Sequence, residues 1–214
     1  MALSANMQRE KDIHNYIKNE SKKYKWQFKG WFIYKKADPF IISASFFVGG
    51  KMNCLNGNLS FKPLNIDNLF CEITGDEDYF KSSPLSYKVN SNGMLYPYNY
   101  FSYKIDDVSN NKIDELITEI NEKVIEILTK FTNEDSYFQF VEEQKEEKKG
   151  LTKQQLYLTN LIYLKKYEQL LNYIEYCKEN NITSGYSRTN IKNPELSWDF
   201  YDKLVEYAKR EINQ

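Results

Sequence analysis

The stretch from Lys112 to Phe131 constrains the fold more than any other part of this sequence. Its apolar residues recur at steps of one, three and four. At about 100° per residue, such spacing places them on one stripe of an α-helix. The stripe consists of Ile113, Leu116, Ile117, Ile120, Val124, Ile127, Leu128 and Phe131. Glu and Lys alternate on the outer side, where i,i+4 pairs favour a solvent-facing helix. We therefore predict an amphipathic helix that packs on a sheet.

Strands and turns are predicted before this helix, after a first helix at Asn6–Tyr24. Lys25–Lys36 is rich in aromatic residues, and Phe40–Val48 alternates between two faces, as strands do. The dipeptides Gly49-Gly50 and Asn56-Gly57 are typical of tight hairpin turns. We predict a meander of antiparallel strands through this region.

The segment that leads to the organising helix combines helix and strand signals. A short helix is predicted at Asn65–Ile73. Leu85–Val89 and Met94–Tyr103 are predicted to pair across Asn92-Gly93. Pro97 lacks a backbone N–H and therefore predicts an edge position for the second of these strands.

Helical patterns dominate after residue 131. Helices are predicted at Glu134–Lys149, at Thr152–Glu179 and from Asn193 onward. The fold class is therefore α+β: a mainly antiparallel sheet of about four to six strands packed with helices, followed by a C-terminal helical pair. We predict a sheet domain over residues 1–133 and a docked helical segment over residues 134–214. One single domain remains an alternative.

Composition limits the classes of function. The net charge of −1 gives no global attraction to nucleic acid or to an anionic membrane. The three cysteines are widely spaced, which favours reduced thiols and a cytoplasmic location. No signal peptide is recognised at the N-terminus, and no apolar run approaches the roughly 20 residues that span a bilayer.

Motifs for catalysis or cofactor binding are not recognised. The single histidine, His14, has no clustered Cys, Asp or Glu partners in the sequence that would make a metal site. Glycine-rich nucleotide-binding loops and a GxSxG nucleophile motif are also missing. We predict no catalytic, cofactor-binding or metal-binding residue. An enzyme with a carboxylate, Tyr and Lys site that follows no known motif is the alternative.

A cluster of acidic residues in a predicted loop is the candidate partner-binding site. Asp76, Glu77 and Asp78 precede Tyr79 within the predicted loop at Thr74–Ser83. Exposed loops often carry function, and this one suits a basic partner. A helix cap or a plain solvated loop is the favoured interpretation of the same residues.

Lysines and aromatic residues interleave from Lys22 to Lys36. Aromatic rings beside lysines can hold single-stranded nucleic acid by stacking and charge attraction. The stronger interpretation is structural, since alternation along a strand sends the rings inward and leaves lysines outside. Nucleic acid is therefore an unfavoured alternative.

The predicted helix Thr152–Glu179 is apolar on two sides. Its second side carries Leu158, Leu161, Ile162 and Tyr176. A helix of this kind is either sandwiched between layers or buried against another chain. We predict a protein partner or a homodimer on this side.

The order of elements from Trp31 to Leu64 is an aromatic strand, an apolar strand, a glycine turn and the segment LSFKPL, all preceded by a helix. Over residues 8–131 this order resembles uncharacterised bacterial domain families in which a helix leads into an antiparallel sheet. Some of these families are similar to immunity proteins of toxin–antitoxin and polymorphic-toxin systems. The resemblance implies a non-catalytic bacterial protein that binds a protein partner.

Overall fold

Five strands form one antiparallel sheet in the order β1-β2-β3-β4-β5. The computed structural model describes residues 5–49, 54–75, 84–89, 96–104, 108–143, 151–189, 191, 195 and 197–214. The strands of the sheet are β1 Gln27–Lys29, β2 Phe32–Ala37, β3 Phe40–Gly49, β4 Cys54–Pro63 and β5 Tyr96–Lys104. Each strand pairs with its neighbour in sequence. The predicted α+β class and antiparallel sheet are confirmed.

Helices make up most of the rest of the described chain. They are α1 Ala5–Lys22, α2 Ile66–Thr74, α3 Leu85–Lys88, α4 Asn110–Lys130, α5 Glu134–Glu143, α6 Leu151–Tyr163, α7 Tyr167–Glu179 and α8 Phe200–Ile212. A short ladder of β6 Ser187–Arg188 and β7 Trp198–Asp199 precedes α8.

The organising helix is confirmed as α4. The side chain of Ser109 caps its first turn by accepting a hydrogen bond from the Lys112 N–H at 3.3 Å. Every residue of the predicted stripe is buried except Leu128, which is half-buried. Two ion pairs of the outer face join Lys112 to Glu115 and Lys123 to Glu126, both with i,i+3 spacing. The stripe packs on the sheet through Phe131, whose ring lies 4.9 Å from that of Phe61.

The alternation predicted for β3 is also confirmed, but one turn is not. Phe40, Ile42, Ala44 and Phe46 are all fully buried. Asn56-Gly57 lies inside β4 and pairs with β3, so the prediction of a turn there is wrong. Gly57 serves instead for close approach, because a Cβ atom built on it would lie 2.0 Å from the backbone oxygen of Ser45. The predicted turn at Gly49-Gly50 lies partly outside the described residues.

The strand predicted at Leu85–Val89 is wrong. These residues form the short helix α3, where the N–H of Lys88 donates to the carbonyl of Pro84 and that of Val89 to Leu85. Proline favours the start of a helical turn because its φ is already helical. β5 pairs with β4 instead, and its place at the edge of the sheet agrees with Pro97.

Contacts divide the chain into two units. The first unit is residues 1–64 with 96–134, and the second is residues 65–95 with 135–214. Residues 65–95 are therefore grouped with the helices that follow α4. The reason is that α2 packs on α8, with the rings of Phe70 and Phe200 stacked 5.2 Å apart.

In the second unit, α6 is the central helix. Residues 154–162 are all buried, and the helix contacts α2, α7 and α8. Tyr163 at its end stacks on Phe138 of α5 with ring centroids 3.7 Å apart. The side chain of Gln154 donates to the hydroxyl of Tyr201 on α8 and lies 3.7 Å from the buried sulfur of Cys177 on α7.

The long helix predicted at Thr152–Glu179 is two helices. Lys165 adopts a left-handed φ of 55° between α6 and α7. Its N–H donates to the carbonyl of Ile162, and the N–H of Lys166 donates to that of Leu161. These two bonds form a Schellman motif, which commonly has glycine at the left-handed position. Because lysine occupies it here, no sequence signal marked the break.

Replacing Lys165 with glycine should therefore stabilise the protein by about 0.5–1 kcal/mol, because glycine adopts the left-handed conformation without steric cost. Chemical denaturation measures this change directly. Glu175→Gly, inside α7 on an exposed position, is the matched control and should destabilise by about 1 kcal/mol. Loss of stability in Lys165→Gly would show that the lysine side chain matters more than its backbone conformation.

Candidate binding surface

The sheet of the first unit has two chemically different faces. α1 and α4 lie on the apolar face, where Lys18 of α1 approaches the Phe28 ring and Tyr98 of β5 donates to Glu126 of α4 at 2.5 Å. On the opposite face, most of the side chains that reach solvent are polar. We call this surface the polar sheet face and define it by Ser45, Phe47, Asn56, Asn58, Tyr100 and Ser102.

Register places these six side chains together. Ser45, Asn58 and Tyr100 are successive cross-strand partners on β3, β4 and β5. Phe47, Asn56 and Ser102 form the next row on the same strands. Directly paired residues of antiparallel strands point to the same side of the sheet, so the two rows form one continuous surface.

Hydrogen bonds within the polar sheet face fix the orientation of both amides. The hydroxyl of Ser45 donates to Oδ1 of Asn58 at 3.0 Å, and that of Ser60 does so at 3.2 Å. The hydroxyl of Ser102 donates to Oδ1 of Asn56 at 2.5 Å. Because these bonds occupy the acceptor oxygens, each amide presents its Nδ2 donors, for which no acceptor lies among the described residues.

Two aromatic side chains flank the amides and face solvent. Phe47 is 55% exposed and Tyr100 is 70% exposed. They lie two strands apart with β4 between them, a lateral separation of about 10 Å. Neither ring contacts another aromatic ring of the described residues. Exposed rings of this kind offer apolar surface to a ligand beside the polar amides.

The charge of the sheet is of one sign. The five described strands contain five lysines, at positions 29, 35, 36, 62 and 104, and no Asp or Glu. Lys29 extends the row of Ser45 at the β1 edge, and Lys104 follows Ser102 at the β5 edge. Both lysines are exposed. Of the other three lysines, Lys36 pairs with Asp38 at 3.0 Å, Lys62 is buried and Lys35 lies over the Trp26 ring, so the exposed positive charge of the polar sheet face is that of Lys29 and Lys104 at its edges.

The predicted interleaving of lysines and rings at Lys22–Lys36 does not form a binding platform on the helix side. Trp26 is buried, and its indole N–H donates to Oδ1 of Asn121 on α4 at 3.1 Å. Lys35 donates to the same oxygen at 3.3 Å and lies 4.4 Å from the Trp26 ring centroid. Burial lowers the pKa of Lys35 from its ordinary value. The interpretation of this stretch as core with lysines at its margin fits these contacts.

Two rings of this stretch are exposed, Tyr24 by 42% and Trp31 by 47%. The ring of Trp31 meets that of His14 on α1 edge-on, with centroids 4.2 Å apart. Burial lowers the pKa of His14 below its ordinary value of 6.5, against the opposing effects of Glu10 and of a hydrogen bond with the Phe46 backbone. Nε2 of His14 is buried and has no hydrogen-bond partner among the described residues.

His14 should make the protein less stable in acid. The unfolded chain binds a proton at the ordinary pKa, but the folded chain holds the neutral imidazole to a lower pH. The free energy of unfolding therefore falls as pH drops below about 6.5, and continues to fall until the folded-state pKa is passed. His14→Phe keeps a ring against Trp31 and cannot titrate.

Denaturation of both proteins from about pH 7.5 to about pH 5.5 tests this effect. His14 is the single histidine of the chain, so the comparison isolates it. Wild type should lose more stability than His14→Phe over this range. Parallel pH profiles of the two proteins would contradict the prediction.

The remaining predicted site residues lie outside the described residues or are buried, apart from Tyr176. Asp76, Glu77, Asp78 and Tyr79 lie outside the described residues. The partner or dimer surface predicted on the second side of Thr152–Glu179 is wrong, because Leu158, Leu161 and Ile162 are buried within the chain. Splitting into α6 and α7 lets each helix bury its own apolar side. Tyr176 is 53% exposed.

The described residues contain neither a cluster of metal ligands nor a helix that could span a membrane. No three or more His, Cys, Asp or Glu side chains of the described residues are grouped so that they could hold a metal ion. No described helix combines the length and the hydrophobicity that crossing a bilayer requires.

Comparison with protein-family models, with curated proteins and with solved structures finds no match. Inferences about function therefore depend on the chemistry of the polar sheet face. One sequence signal pointed to this surface. Ser43, Ser45 and Phe47 alternate with the buried residues of β3, and a strand whose second face mixes hydroxyls with an aromatic is half-exposed. The turn predicted at Asn56-Gly57 concealed the contribution of Asn56, and the position of Asn58 depends on the register of β4.

Proposed function

We propose that this chain is a non-catalytic binding protein and that the polar sheet face is its binding surface. The observation that carries the proposal is the fixed array of unused donors on Asn56 and Asn58 between two exposed rings. Ser45 and Ser102 hold the amides in one orientation, so the surface is organised before a ligand arrives. Preorganised polar groups lose less conformational entropy on binding than mobile ones.

The chemistry of the surface selects the ligand. Amide donors flanked by the exposed Lys29 and Lys104 favour a ligand rich in acceptor oxygens and negative charge. An elongated ligand fits better than a compact one, because the surface runs across β3, β4 and β5 and reaches lysines at both edges of the sheet. An acidic region of a protein partner, such as a toxin bound by an immunity-like protein, carries this chemistry, as does a nucleic acid strand.

Replacing the amide donors with carboxylate acceptors tests the proposal. In the double variant Asn56→Asp and Asn58→Asp, each carboxylate can still accept the serine hydroxyls, but the outward Nδ2 donors become negatively charged oxygens. We expect at least a tenfold loss of affinity for anionic chains, since like charges then face the ligand. Fluorescence anisotropy with labelled polyglutamate and a labelled single-stranded oligonucleotide measures it.

An asparagine pair away from the surface provides the control. Asn68→Asp on α2 and Asn180→Asp after α7 make the same change of charge at exposed positions of the second unit. This control should bind like wild type. The proposal fails if neither anionic chain binds wild type, or if both double variants bind equally well.

A further inference from the structure

We infer that the ligand of the polar sheet face is a single-stranded nucleic acid. This inference rests on the proposed function and names the ligand class of the same surface. It depends on the rings of Phe47 and Tyr100, which anion binding alone leaves unexplained. Burying an exposed ring requires an apolar, preferably planar, surface on the ligand. An acidic protein segment offers carboxylates but few such surfaces, whereas each nucleotide offers a flat base beside a phosphate.

The positions of the rings suit bases from one extended strand. Phe47 on β3 and Tyr100 on β5 are about 10 Å apart across the sheet, with Asn56 and Asn58 of β4 between them. Two bases stacked on the rings would place the intervening backbone or base edges over the amides. The Nδ2 groups can donate to phosphate oxygens or to the carbonyl oxygens of bases, both of which are acceptors.

The lysines supply the remaining contacts. Lys104 forms no ion pair with any described residue, and Lys29 is exposed at the other edge of the sheet. A strand running from β5 towards β1 therefore meets a positive charge at each end. The five described strands carry no carboxylate that would repel it.

A duplex fits this surface poorly. Its bases are stacked on each other, so their flat surfaces cannot reach Phe47 or Tyr100 without unpairing. Recognition of unpaired bases by aromatic side chains on a sheet is a general mode of single-strand binding. The amides provide few direct contacts per base, so we expect limited preference among sequences.

The experiment compares four labelled probes by fluorescence anisotropy with the full chain. They are single-stranded DNA and RNA of about 12 nucleotides and mixed sequence, the duplex of the same DNA, and a polyglutamate peptide. We expect both single strands to bind with dissociation constants of about 10–100 µM and the duplex to bind at least fivefold more weakly. With Lys104 on a phosphate, the logarithm of affinity should fall against the logarithm of salt concentration with a slope of about −0.7.

Variants of one ring separate stacking from other contributions. Tyr100→Ser should weaken single-strand binding by about 5- to 100-fold, whereas Tyr100→Phe, which keeps the ring, should bind like wild type. Tyr176→Ser removes another exposed tyrosine, from α7, and should have no effect. Circular dichroism of each variant confirms that it is folded.

The outcomes distinguish the inference from the proposed function. If polyglutamate binds through Asn56 and Asn58 but the single strands do not, the inference is wrong and the proposed function stands. If no probe binds at protein concentrations of about 0.5 mM, both are wrong. Equal binding of duplex and single strand, or full binding by Tyr100→Ser, also overturns the inference.

Discussion

Replacing Phe131 with alanine is expected to lower the free energy of unfolding by about 3–5 kcal/mol. The side chain is buried at the end of α4, and its ring lies 6.4 Å from that of Phe40, 4.9 Å from Phe61 and 6.5 Å from Tyr98. Truncation removes the contacts of α4 with three strands at once and leaves a cavity that these rings cannot easily fill. Chemical denaturation followed by circular dichroism measures the loss.

Ile125→Ala provides a control on the same helix. Ile125 is 66% exposed, so its truncation should change stability by no more than about 0.5 kcal/mol. If Phe131→Ala costs less than about 1 kcal/mol, then α4 does not organise the first unit. Equal losses in the two variants would lead to the same conclusion.

Replacing Gly57 with alanine is expected to cost about 3 kcal/mol or more. The new Cβ would lie 2.0 Å from the Ser45 carbonyl oxygen and 2.4 Å from the Phe101 ring. The ring could turn, but the carbonyl belongs to the neighbouring strand, so β3 and β4 would have to separate. Since Asn56 and Asn58 flank this position, the variant should also disturb the polar sheet face.

Gly30→Ala is the control, because it measures the cost of losing glycine's backbone freedom where an added Cβ meets no neighbouring atom. Gly30 has a left-handed φ of 60° and nothing within 4 Å of an added Cβ, so alanine there should cost only about 1–2 kcal/mol. Thermal and chemical denaturation of both variants should show the larger loss in Gly57→Ala. A smaller loss for Gly57→Ala would mean that the strands can adjust to a methyl group between them.

The spacing of apolar residues predicted those helices and strands whose own sequence specifies a buried face. The stripe of α4 and the alternation of β3 each contain enough apolar residues to specify a buried face. The limits of α2 were predicted to within one residue, because Ile66, Phe70 and Ile73 mark its buried side. These elements are where local pattern and tertiary packing agree.

Features that depend on remote partners or unusual conformations could not be predicted. Lys165 ends α6 in a left-handed conformation, which a sequence indicates only where the residue is glycine. Gly57 carried a turn signal, but its role is set by the carbonyl of a neighbouring strand. Nothing within residues 65–95 shows that α2 packs against a helix that begins at Phe200. In each case the deciding contact is distant in sequence.

For the same reason, only part of the polar sheet face could be predicted from the sequence. Ser45 and Phe47 could be placed on the second face of β3 from alternation. Their neighbours on β4 and β5 follow from the register, which a single sequence does not determine. The donor array requires Ser102 beside Asn56, residues that are 46 positions apart.

A nuclear magnetic resonance titration with single-stranded DNA tests most directly whether the polar sheet face is the binding surface. The side-chain amide signals of Asn56 and Asn58 and the ring signals of Phe47 and Tyr100 report on it. We expect these signals to shift together in a saturable manner, while those of Asn121 on α4 and of Trp26 beside it stay unchanged. Shifts confined to other surfaces would contradict the assignment of this surface, and the absence of any shift as DNA is added would overturn the inference that its ligand is a single strand.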